Sequence, residues 1–377
     1  MPPAAPPTRH ETALDERAEE AERSVSALFT GHLAGLASAP LARVTHPPPV
    51  RTIGGLRGEW HYWWQAHYLD AVVDAGARAA RTGDPSEARR QARRGGRLLA
   101  AIRVRNAGRW SNDFYDDMAW LALASGRLAA LHAQLGVRGP RHLMRSAQRV
   151  LTAQLRSAHT DDLGGGLFWS RDRTVKNAPA TGPAALHLAR VGDAAAAHRL
   201  VDWVYARLWS PQSGLVLDGI RLESGKEVSV PDVWSYNQGT VLGALLALGD
   251  AESLARAAAL VHAVDERLTR DVGGDRVLLT HGAGDGGLFT GILARYLALA
   301  AAAELPGDAA ATARRLVHDT AEALWQGRGD RRSAGRRAAT VFPAAPGGAP
   351  PTSPAVPLEL SPQLQAWTVL EAAAAVS

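Results

Sequence analysis

The sequence contains no cysteine, only two lysines and no long apolar run, and each of these absences excludes a class of protein. Without cysteine there are no disulfides, no thiolate catalysis and no cysteine-based metal site. No run reaches about 18 uninterrupted apolar residues, so we expect no transmembrane helix. Residues 1–22 are proline-rich and then charged, and they lack the apolar region of a secretory signal. This favours a cytoplasmic location for the chain as written, with secretion only if its start is truncated.

The basic charge of the chain does not predict a nucleic-acid partner. The net charge is +5, and nearly all positive charge is arginine, because lysine occurs only at positions 176 and 226. The arginines are scattered among Asp and Glu, whereas nucleic-acid binding favours a compact basic stripe with interleaved aromatics.

The eleven tryptophans are more informative about function than the basic charge is. Each belongs to the core by default, but a Trp at the mouth of a cleft can stack on a sugar ring.

Hydrophobic periodicity and capping residues predict twelve helices and very little strand. The predicted helices cover approximately residues 11–37, 60–82, 85–106, 112–135, 139–158, 178–191, 194–210, 235–249, 251–269, 286–304, 307–326 and 361–376. Strand signals are weak, and only residues 216–217 and 277–279 are candidates for short hairpin segments.

The predicted helices alternate in character along the chain. Odd helices carry a wide charged face, whereas even helices are almost uniformly small and apolar, as in residues 240–248. A helix that is apolar all round must be buried, while one with a polar stripe lies outside. Six inner and six outer helices in alternation describe an all-α fold, an (α/α)6 barrel of six helical hairpins.

The predicted domain organisation is one barrel with a proline-rich start. Residues 1–50 comprise a proline-rich tail and the first outer helix, and residues 51–377 form the rest of the single barrel domain. Residues 328–357, rich in Arg, Gly and Pro, are predicted to be an unstructured loop before the last helix.

Two adjacent carboxylates, Asp116 and Asp117, begin an otherwise apolar even helix. One interpretation is structural: Ser111, Asn112 or Asp113 caps the helix, and the two Asp favour its positive end. The other interpretation is chemical. Two carboxylates held close cannot both ionise easily, so one becomes an acid and the other stays ionised. Glycosidic bond cleavage requires such a pair.

The unusual polar and aromatic residues fall at or just before the N-terminal ends of even helices. In an inner ring of parallel helices, all of these ends open onto one mouth. Residues far apart in sequence would therefore converge on one pocket above the positive helix ends. Capping alone would not concentrate Trp, Tyr, Asn and Asp on the even helices, which favours the chemical interpretation of Asp116 and Asp117.

An ordered set of motifs carries a family resemblance over roughly residues 58–376. The motifs are at residues 62–67 (YWWQAH), 116–120 (DDMAW), 165–169 (GGLFW), 176–179 (KNAP), 217–219 (LDG), 234–239 (WSYNQG), 289–292 (FTGI) and 360–363 (LSPQ). Each motif is weak alone, but in this order the chain resembles glycoside hydrolase family 76, the α-1,6-mannanase family.

This resemblance implies a retaining, endo-acting hydrolase of α-1,6-linked mannan on an (α/α)6 fold. It implies no required cofactor, and a carbohydrate as the partner. In that family the first Asp of the adjacent pair is the nucleophile and the second is the general acid/base. The resemblance therefore assigns the nucleophile to Asp116 and the acid/base to Asp117.

Nine further residues are candidates for binding the sugar. They are Trp63, Trp64, Asp70, Asn177, Asp218, Trp234, Tyr236, Asn237 and Phe289. Alternatives remain for several of them: one of the two adjacent Trp belongs to the core, Asn177 is equally suited to capping a helix, and a buried Asp paired with Arg would give the same pattern. No metal site is expected, because His61 and His67 lack the i, i+4 spacing of helical zinc ligands.

Three other functions are compatible with the sequence. A transglycosidase would use the same glycosyl-enzyme with a sugar hydroxyl as acceptor. A carbohydrate-binding relative would keep the pocket without the chemistry. A sugar epimerase or unsaturated-uronyl hydrolase would share the barrel but leave Asp116 and Asp117 unexplained. We expect a monomer.

Overall fold

A computed structural model describes residues 9–48, 59–332 and 338–377 of the chain. Within them lie twelve α-helices, which confirms the predicted all-α class. The helices are α1 (Arg9–Phe29), α2 (Tyr62–Arg81), α3 (Pro85–Arg105), α4 (Tyr115–Gln134), α5 (Arg141–Ala158), α6 (Ala178–Arg190), α7 (Ala194–Arg207), α8 (Ser235–Leu248), α9 (Ala251–Arg267), α10 (Gly286–Ala301), α11 (Ala309–Gln326) and α12 (Leu360–Ala374).

The even helices form a closed inner ring. Each of α2, α4, α6, α8, α10 and α12 packs against the next, and α12 returns to α2. Every residue of α12 is buried, and its two buried glutamines accept hydrogen bonds from backbone N–H groups. Close packing in the ring needs glycine. A Cβ on Gly239 would lie 2.9 Å from the Cα of Leu293, and one on Gly291 would lie 3.1 Å from the Cα of Gln365.

The odd helices form the outer layer of the barrel. Helices α3, α5, α7, α9 and α11 each pack against the preceding even helix, and α1 packs against α12. Their sequences are amphipathic. In α5, for example, the buried residues Met144, Ala147, Leu151, Leu155 and Ala158 recur every three or four positions, so one stripe faces the ring and the rest faces solvent. The predicted (α/α)6 barrel is confirmed.

Short strands connect the helices. They are β1 (Thr30–His32), β2 (Pro40–Ala42), β3 (Thr45–His46), β4 (Val175–Asn177), β5 (Trp209–Ser210), β6 (Leu215–Val216), β7 (Gly219–Glu223), β8 (Lys226–Val230), β9 (Thr269–Val272), β10 (Asp275–Leu278), β11 (Gly329–Arg331), β12 (Ala339–Val341) and β13 (Leu358–Glu359). Strands β4, β7 and β8 form an antiparallel sheet, with Asn177 opposite Gly219. The other described strands pair in twos. Strands β6 and β10 overlap the two predicted hairpin segments, 216–217 and 277–279, but each strand ends one residue earlier than predicted.

The first helix is shorter than predicted. Helix α1 ends at Phe29 rather than near residue 37, because the following residues pair as β1 with β2. The backbone oxygen of Phe29 accepts a hydrogen bond from the Arg43 N–H at 2.7 Å, so the helix end is fixed by the hairpin. Residues 1–8 of the predicted proline-rich tail lie outside the described residues.

The prediction of an unstructured loop over 328–357 is wrong for its described part. Strand β11 pairs with β12, and Val341 and Phe342 are fully buried. The Thr340 backbone N–H donates to Ser24 at 2.9 Å and the Phe342 N–H donates to Gln363 at 2.9 Å. The segment is therefore held against α1 and α12, and residues 333–337 of the prediction lie outside the described part.

Candidate active site

A cleft of about 650 Å³ opens where the inner helices begin. Its walls combine the starts of α2, α4, α6, α8 and α10 with the sheet β4–β7–β8. The lining residues are Trp60, His61, Tyr62, Trp63, Asn106, Asn112, Asp113, Phe114, Asp116, Asp117, Trp120, Trp169, Val175, Asn177, Pro179, Asp218, Arg221, Val230, Trp234, Tyr236, Asp285 and Phe289. Five of the six inner helices therefore contribute residues to one pocket, as their shared direction predicts.

Asp116 and Asp117 lie in the first turn of α4 and line this cleft. The residue at the N-cap position is Phe114, which has no side chain able to cap the helix. The capping interpretation of Ser111, Asn112 or Asp113 is therefore wrong. The carboxylates are left to face the cleft beside the positive end of the helix.

The Asp116 carboxylate accepts one N–H on each of its oxygens. The backbone N–H of Asp117 donates to Oδ1 at 2.8 Å, and the indole N–H of Trp169 donates to Oδ2 at 3.0 Å. Hydrogen bonds to a carboxylate favour its ionised form. These two donors also fix the rotation of the carboxylate relative to the cleft.

Among the described residues, the amide of Asn112 is the one side-chain group that donates a hydrogen bond to the Asp117 carboxyl group. The orientation of that amide is fixed, because its Oδ1 accepts the backbone N–H of Phe114 at 3.1 Å. The Nδ2 group must therefore point toward Asp117. Asp117 thus receives less hydrogen-bond stabilisation of its charge than Asp116 does.

The two carboxyl groups differ in acidity for these reasons. Burial raises the pKa of Asp116 to about 6. Burial and the neighbouring charge of Asp116 raise the pKa of Asp117 well above its ordinary value, and the charge of Asp285 adds to this. Because Asp116 has the two N–H donors, it ionises first and Asp117 keeps its proton. The pair therefore supplies an ionised nucleophile beside a protonated acid.

Replacement of Asn112 by alanine tests this arrangement. Asn112→Ala removes the donor that stabilises ionised Asp117, so the pKa of Asp117 rises and the alkaline limb of the kcat/KM profile moves upward by about one pH unit. The measurement is the pH profile of oligosaccharide release. Asn106→Ala is the control, because Asn106 also lines the cleft but donates to backbone oxygens of Arg109 and Ser111. An alkaline limb that stays in place in Asn112→Ala would contradict the assigned contact.

Six of the nine predicted sugar-binding residues line the cleft: Trp63, Asn177, Asp218, Trp234, Tyr236 and Phe289. The rings of Tyr236 and Phe289 are stacked, with centroids 4.0 Å apart, and Trp63 and Trp234 pack around Phe289. This aromatic cluster builds one wall from three inner helices.

Asn177 combines both of the roles considered for it. Its Oδ1 caps α6 by accepting the Ala180 N–H at 3.2 Å, which leaves its Nδ2 group as a donor toward the cleft. Asp218 also faces the cleft, and burial raises its pKa. Both are therefore placed for the predicted hydrogen bonds to a sugar.

Trp64 and Asn237 lie behind the cleft wall, which corrects their predicted sugar contacts. Trp64 is 1% exposed, and its indole N–H donates to Asp285 at 3.0 Å. Asn237 is fully buried and its amide donates to Asp218 at 3.1 Å. Each therefore orients a carboxylate of the cleft and does not line the cleft itself.

Asp70 is also misplaced by the prediction, because it belongs to a buried ion network. Arg127 and Arg295 each bridge Asp70 and Asp74 beneath the cleft. Burial alone would raise the pKa of Asp70, but the two guanidinium groups hold it at about 2. This is the alternative of a buried Asp paired with Arg, and it links α2, α4 and α10.

Three functional residues escaped the predicted set: Asn112, Trp169 and Asp285. Asn112 and Trp169 bond the catalytic pair, and Asp285 adds a third carboxylate to the cleft. A signal was present for Asp285, since it immediately precedes an even helix in the same way as the other cleft residues. Trp169 also lies in one of the quoted motifs.

Within the part of the chain that the structure describes, no group of three or more His, Asp or Glu side chains is arranged to hold a metal ion. No helix among the described residues is long and apolar enough to cross a membrane.

An (α/α)6 barrel whose cleft presents two unequal carboxyl groups among aromatic side chains defines a glycoside hydrolase. The family model described as "Glycosyl hydrolase family 76" matches residues 16–341. The chain belongs to glycosyl hydrolase family 76, as the motifs predicted. No curated protein sequence gives a match.

Solved structures support this assignment over almost the whole chain. The α-1,6-mannanase GH76A of Salegentibacter sp. HEL1_6 is 28% identical, with a TM-score of 0.78 over 97% of this chain and 100% of that one. An inactive variant of it, with two consecutive aspartates changed to asparagine, was solved with α-1,6-mannotriose (27% identity, TM-score 0.78, 97% and 100% coverage). A Listeria innocua protein, 24% identical with a TM-score of 0.72 over 96% and 97% of the two chains, shares the fold.

Proposed function

We propose that this enzyme hydrolyses α-1,6-mannosidic bonds with retention of anomeric configuration. The observation that carries the proposal is the unequal hydrogen bonding of Asp116 and Asp117 at the cleft. The Salegentibacter mannanase supports the choice of linkage, and its inactive variants, changed at two consecutive aspartates, support the choice of residues.

In the first step, ionised Asp116 attacks the anomeric carbon of the mannose. The bond from that carbon to the leaving oxygen breaks, and Asp117 transfers its proton to this oxygen. The products are a covalent glycosyl ester on Asp116 and an ionised Asp117. The N–H donors of Asp117 and Trp169 aim the Asp116 carboxylate, so little reorganisation is needed before attack.

In the second step, Asp117 acts as a base. Esterification removes the charge of Asp116, which was one cause of the raised pKa of Asp117. Ionised Asp117, held by the Asn112 amide, takes a proton from water while the water oxygen attacks the anomeric carbon. The ester bond breaks, Asp116 leaves as a carboxylate, and the product keeps the α configuration.

The aromatic side chains provide the surfaces on which mannose units bind. Phe114 and Trp169 are 39% and 37% exposed, and their ring centroids lie 5.1 Å apart beside Asp116. Exposed rings of this kind stack on the apolar faces of sugars. We place one mannose on this pair and another against the wall of Tyr236 and Phe289.

The expected pH dependence follows from the two raised pKa values. Asp116 must be ionised, so kcat/KM rises as pH increases through its pKa of about 6. Asp117 must be protonated, so kcat/KM falls as pH increases through its higher pKa. We therefore expect a bell-shaped pH profile with its acid limb near pH 6. The apparent pKa values of the two limbs describe the interacting pair of Asp116 and Asp117 together. An acid limb near the ordinary pKa of aspartic acid, about 4, would contradict the burial of Asp116.

The test of the proposed function is release of oligosaccharides from linear α-1,6-mannan by the purified protein. An α-1,2-linked or α-1,3-linked mannan serves as the linkage control. A ladder of products supports internal cleavage, release of single mannose units supports cleavage from an end, and products longer than an oligosaccharide substrate support sugar transfer. Cleavage of the α-1,2-linked or α-1,3-linked mannan, with α-1,6-mannan left intact, would overturn the proposed linkage.

We also propose that the enzyme acts as a monomer, because a single chain supplies all of the residues to which we assign a role. Sedimentation of the protein during turnover tests this.

A further inference from the structure

Lys176 is a fully buried lysine, and among the described residues no carboxylate is hydrogen-bonded to its ammonium. The three N–H groups of its Nζ lie within hydrogen-bond distance of four oxygens. These are the backbone carbonyls of Thr160 at 2.8 Å, Asp162 at 2.6 Å and Gly165 at 2.7 Å, and the Thr160 hydroxyl at 3.0 Å. It also lies 4.7 Å from the centroid of the Phe168 ring. Four oxygens and one aromatic face surround a single cation, so the charge is solvated by the protein alone.

The loop that supplies these oxygens has an unusual backbone. Residues 163–166 have four consecutive positive φ angles, of 55°, 75°, 122° and 71°. The Trp203 ring closes the outer side of the loop, because a Cβ on Gly166 would lie 2.5 Å from it. Leu163 is a non-glycine residue in the left-handed region, a conformation that surrounding contacts must hold. The Leu163 carbonyl accepts hydrogen bonds from the Trp203 indole and from Arg207, both at 2.9 Å. The ammonium of Lys176 gathers the carbonyls on either side of it.

A short chain of hydrogen bonds connects this loop to the nucleophile. Phe168 pairs with Lys176, and the Trp169 backbone N–H donates to the Val175 carbonyl at 2.8 Å. The Trp169 carbonyl accepts the N–H of Tyr115, the first residue of α4, at 2.8 Å. The indole of the same Trp169 donates to Asp116. Displacement of this segment would therefore move the indole away from the carboxylate.

We propose that Lys176 is a positioning residue whose ammonium occupies a cation cage in the loop 160–165 and thereby holds the Trp169 indole against Asp116. This inference rests on the proposed function only for the catalytic role of Asp116, because the contact between the Trp169 indole and Asp116 exists without substrate. Burial lowers the pKa of Lys176 to about 8, with Asp161 and Asp162 acting to raise it and Arg173 to lower it. The residue is therefore charged near pH 6, where Asp116 titrates.

The test compares Lys176→Met with Lys226→Met, which changes the only other lysine, an exposed residue of β8. The probe is the indole N–H resonance of Trp169 in the NMR spectrum, identified by its absence in Trp169→Phe. Its pH titration reports the ionisation of Asp116, whose other charged neighbours are Asp117 and Asp285. In Lys226→Met the midpoint should stay near 6. In Lys176→Met the resonance should shift and lose its titration, because the indole no longer contacts the carboxylate.

Activity gives a second readout. The acid limb of kcat/KM should move upward equally in Lys176→Met and Trp169→Phe, and the double variant should show no further movement. An unchanged Trp169 titration in Lys176→Met, with only a lower melting temperature, would overturn the proposal. If Lys176→Met does not fold, the folding of Lys176→Ala is measured in ammonium chloride and, as a control, in sodium chloride. Failure of ammonium ions to restore the fold would also overturn the proposal. The NMR result requires no turnover, so failure of the mannanase proposal leaves it interpretable.

Discussion

Asp116→Ala is expected to lower kcat/KM on α-1,6-mannan by on the order of 10⁵-fold, the scale on which removal of a covalent nucleophile acts. Added azide should restore turnover of an α-mannobiosyl fluoride, because the small anion fits the space left by the carboxylate. Azide then attacks the anomeric carbon from the side that Asp116 occupied, fluoride leaves, and the product is the β-mannosyl azide. Mass spectrometry and NMR of the azide product measure this outcome.

The control for this variant is Asp113→Ala. Asp113 also lines the cleft, but its side chain is 84% exposed, and it forms an ion pair with Arg171 at the long distance of 3.7 Å. Its replacement should change kcat/KM by no more than a few-fold, as for other exposed pairs. An α-mannosyl azide from Asp116→Ala, or loss of activity in Asp113→Ala alone, would show that the nucleophile is misassigned.

Asp117→Ala is expected to lower kcat/KM on α-1,6-mannan by on the order of 10³-fold, because the leaving oxygen no longer receives a proton. An α-mannobiosyl fluoride needs no such proton, so the first step should persist and the glycosyl ester on Asp116 should accumulate. Azide then attacks this β-linked ester from the opposite face and releases the α-mannosyl azide. The two variants therefore give opposite anomers of the same product.

Intact-mass spectrometry of Asp117→Ala with the fluoride provides an independent check. The protein should gain the mass of one mannobiosyl group, and the adduct should disappear on addition of azide. No adduct, together with the β-mannosyl azide as product, would reverse the roles of the two residues.

The barrel was predictable from the sequence because inner and outer helices need different surfaces. An inner helix such as α10 is buried over most of its surface, and the mainly small apolar residues of its sequence show this directly. The hairpin of β7 and β8 was missed, although Ser224 and Gly225, both with positive φ, form a turn that favours hairpins. The structure of residues 328–332 and 338–357 could not be predicted, because it depends on contacts with α1 and α12.

The site was predictable to the level of which helix ends form it, but not of which side chains face it. Trp63 and Trp64 point about 100° apart on α2, and only Trp63 faces the cleft. Asp70 lies about 12 Å along the axis of α2 from the first residue of that helix, so its side chain is too far from the helix start to reach the cleft. The contacts of Asn112 and Trp169 with the catalytic pair depend on loop conformations that periodicity does not report.

Cleavage of α-1,6-mannan by Asp116 and Asp117 should retain the configuration of the anomeric carbon. The most direct measurement is the NMR spectrum of the anomeric proton of the first product released from linear α-1,6-mannan, recorded before mutarotation. We expect the α anomer to appear first and the β anomer to grow in later. Initial release of the β anomer would contradict this expectation, because water would then have attacked directly, without a glycosyl ester on Asp116.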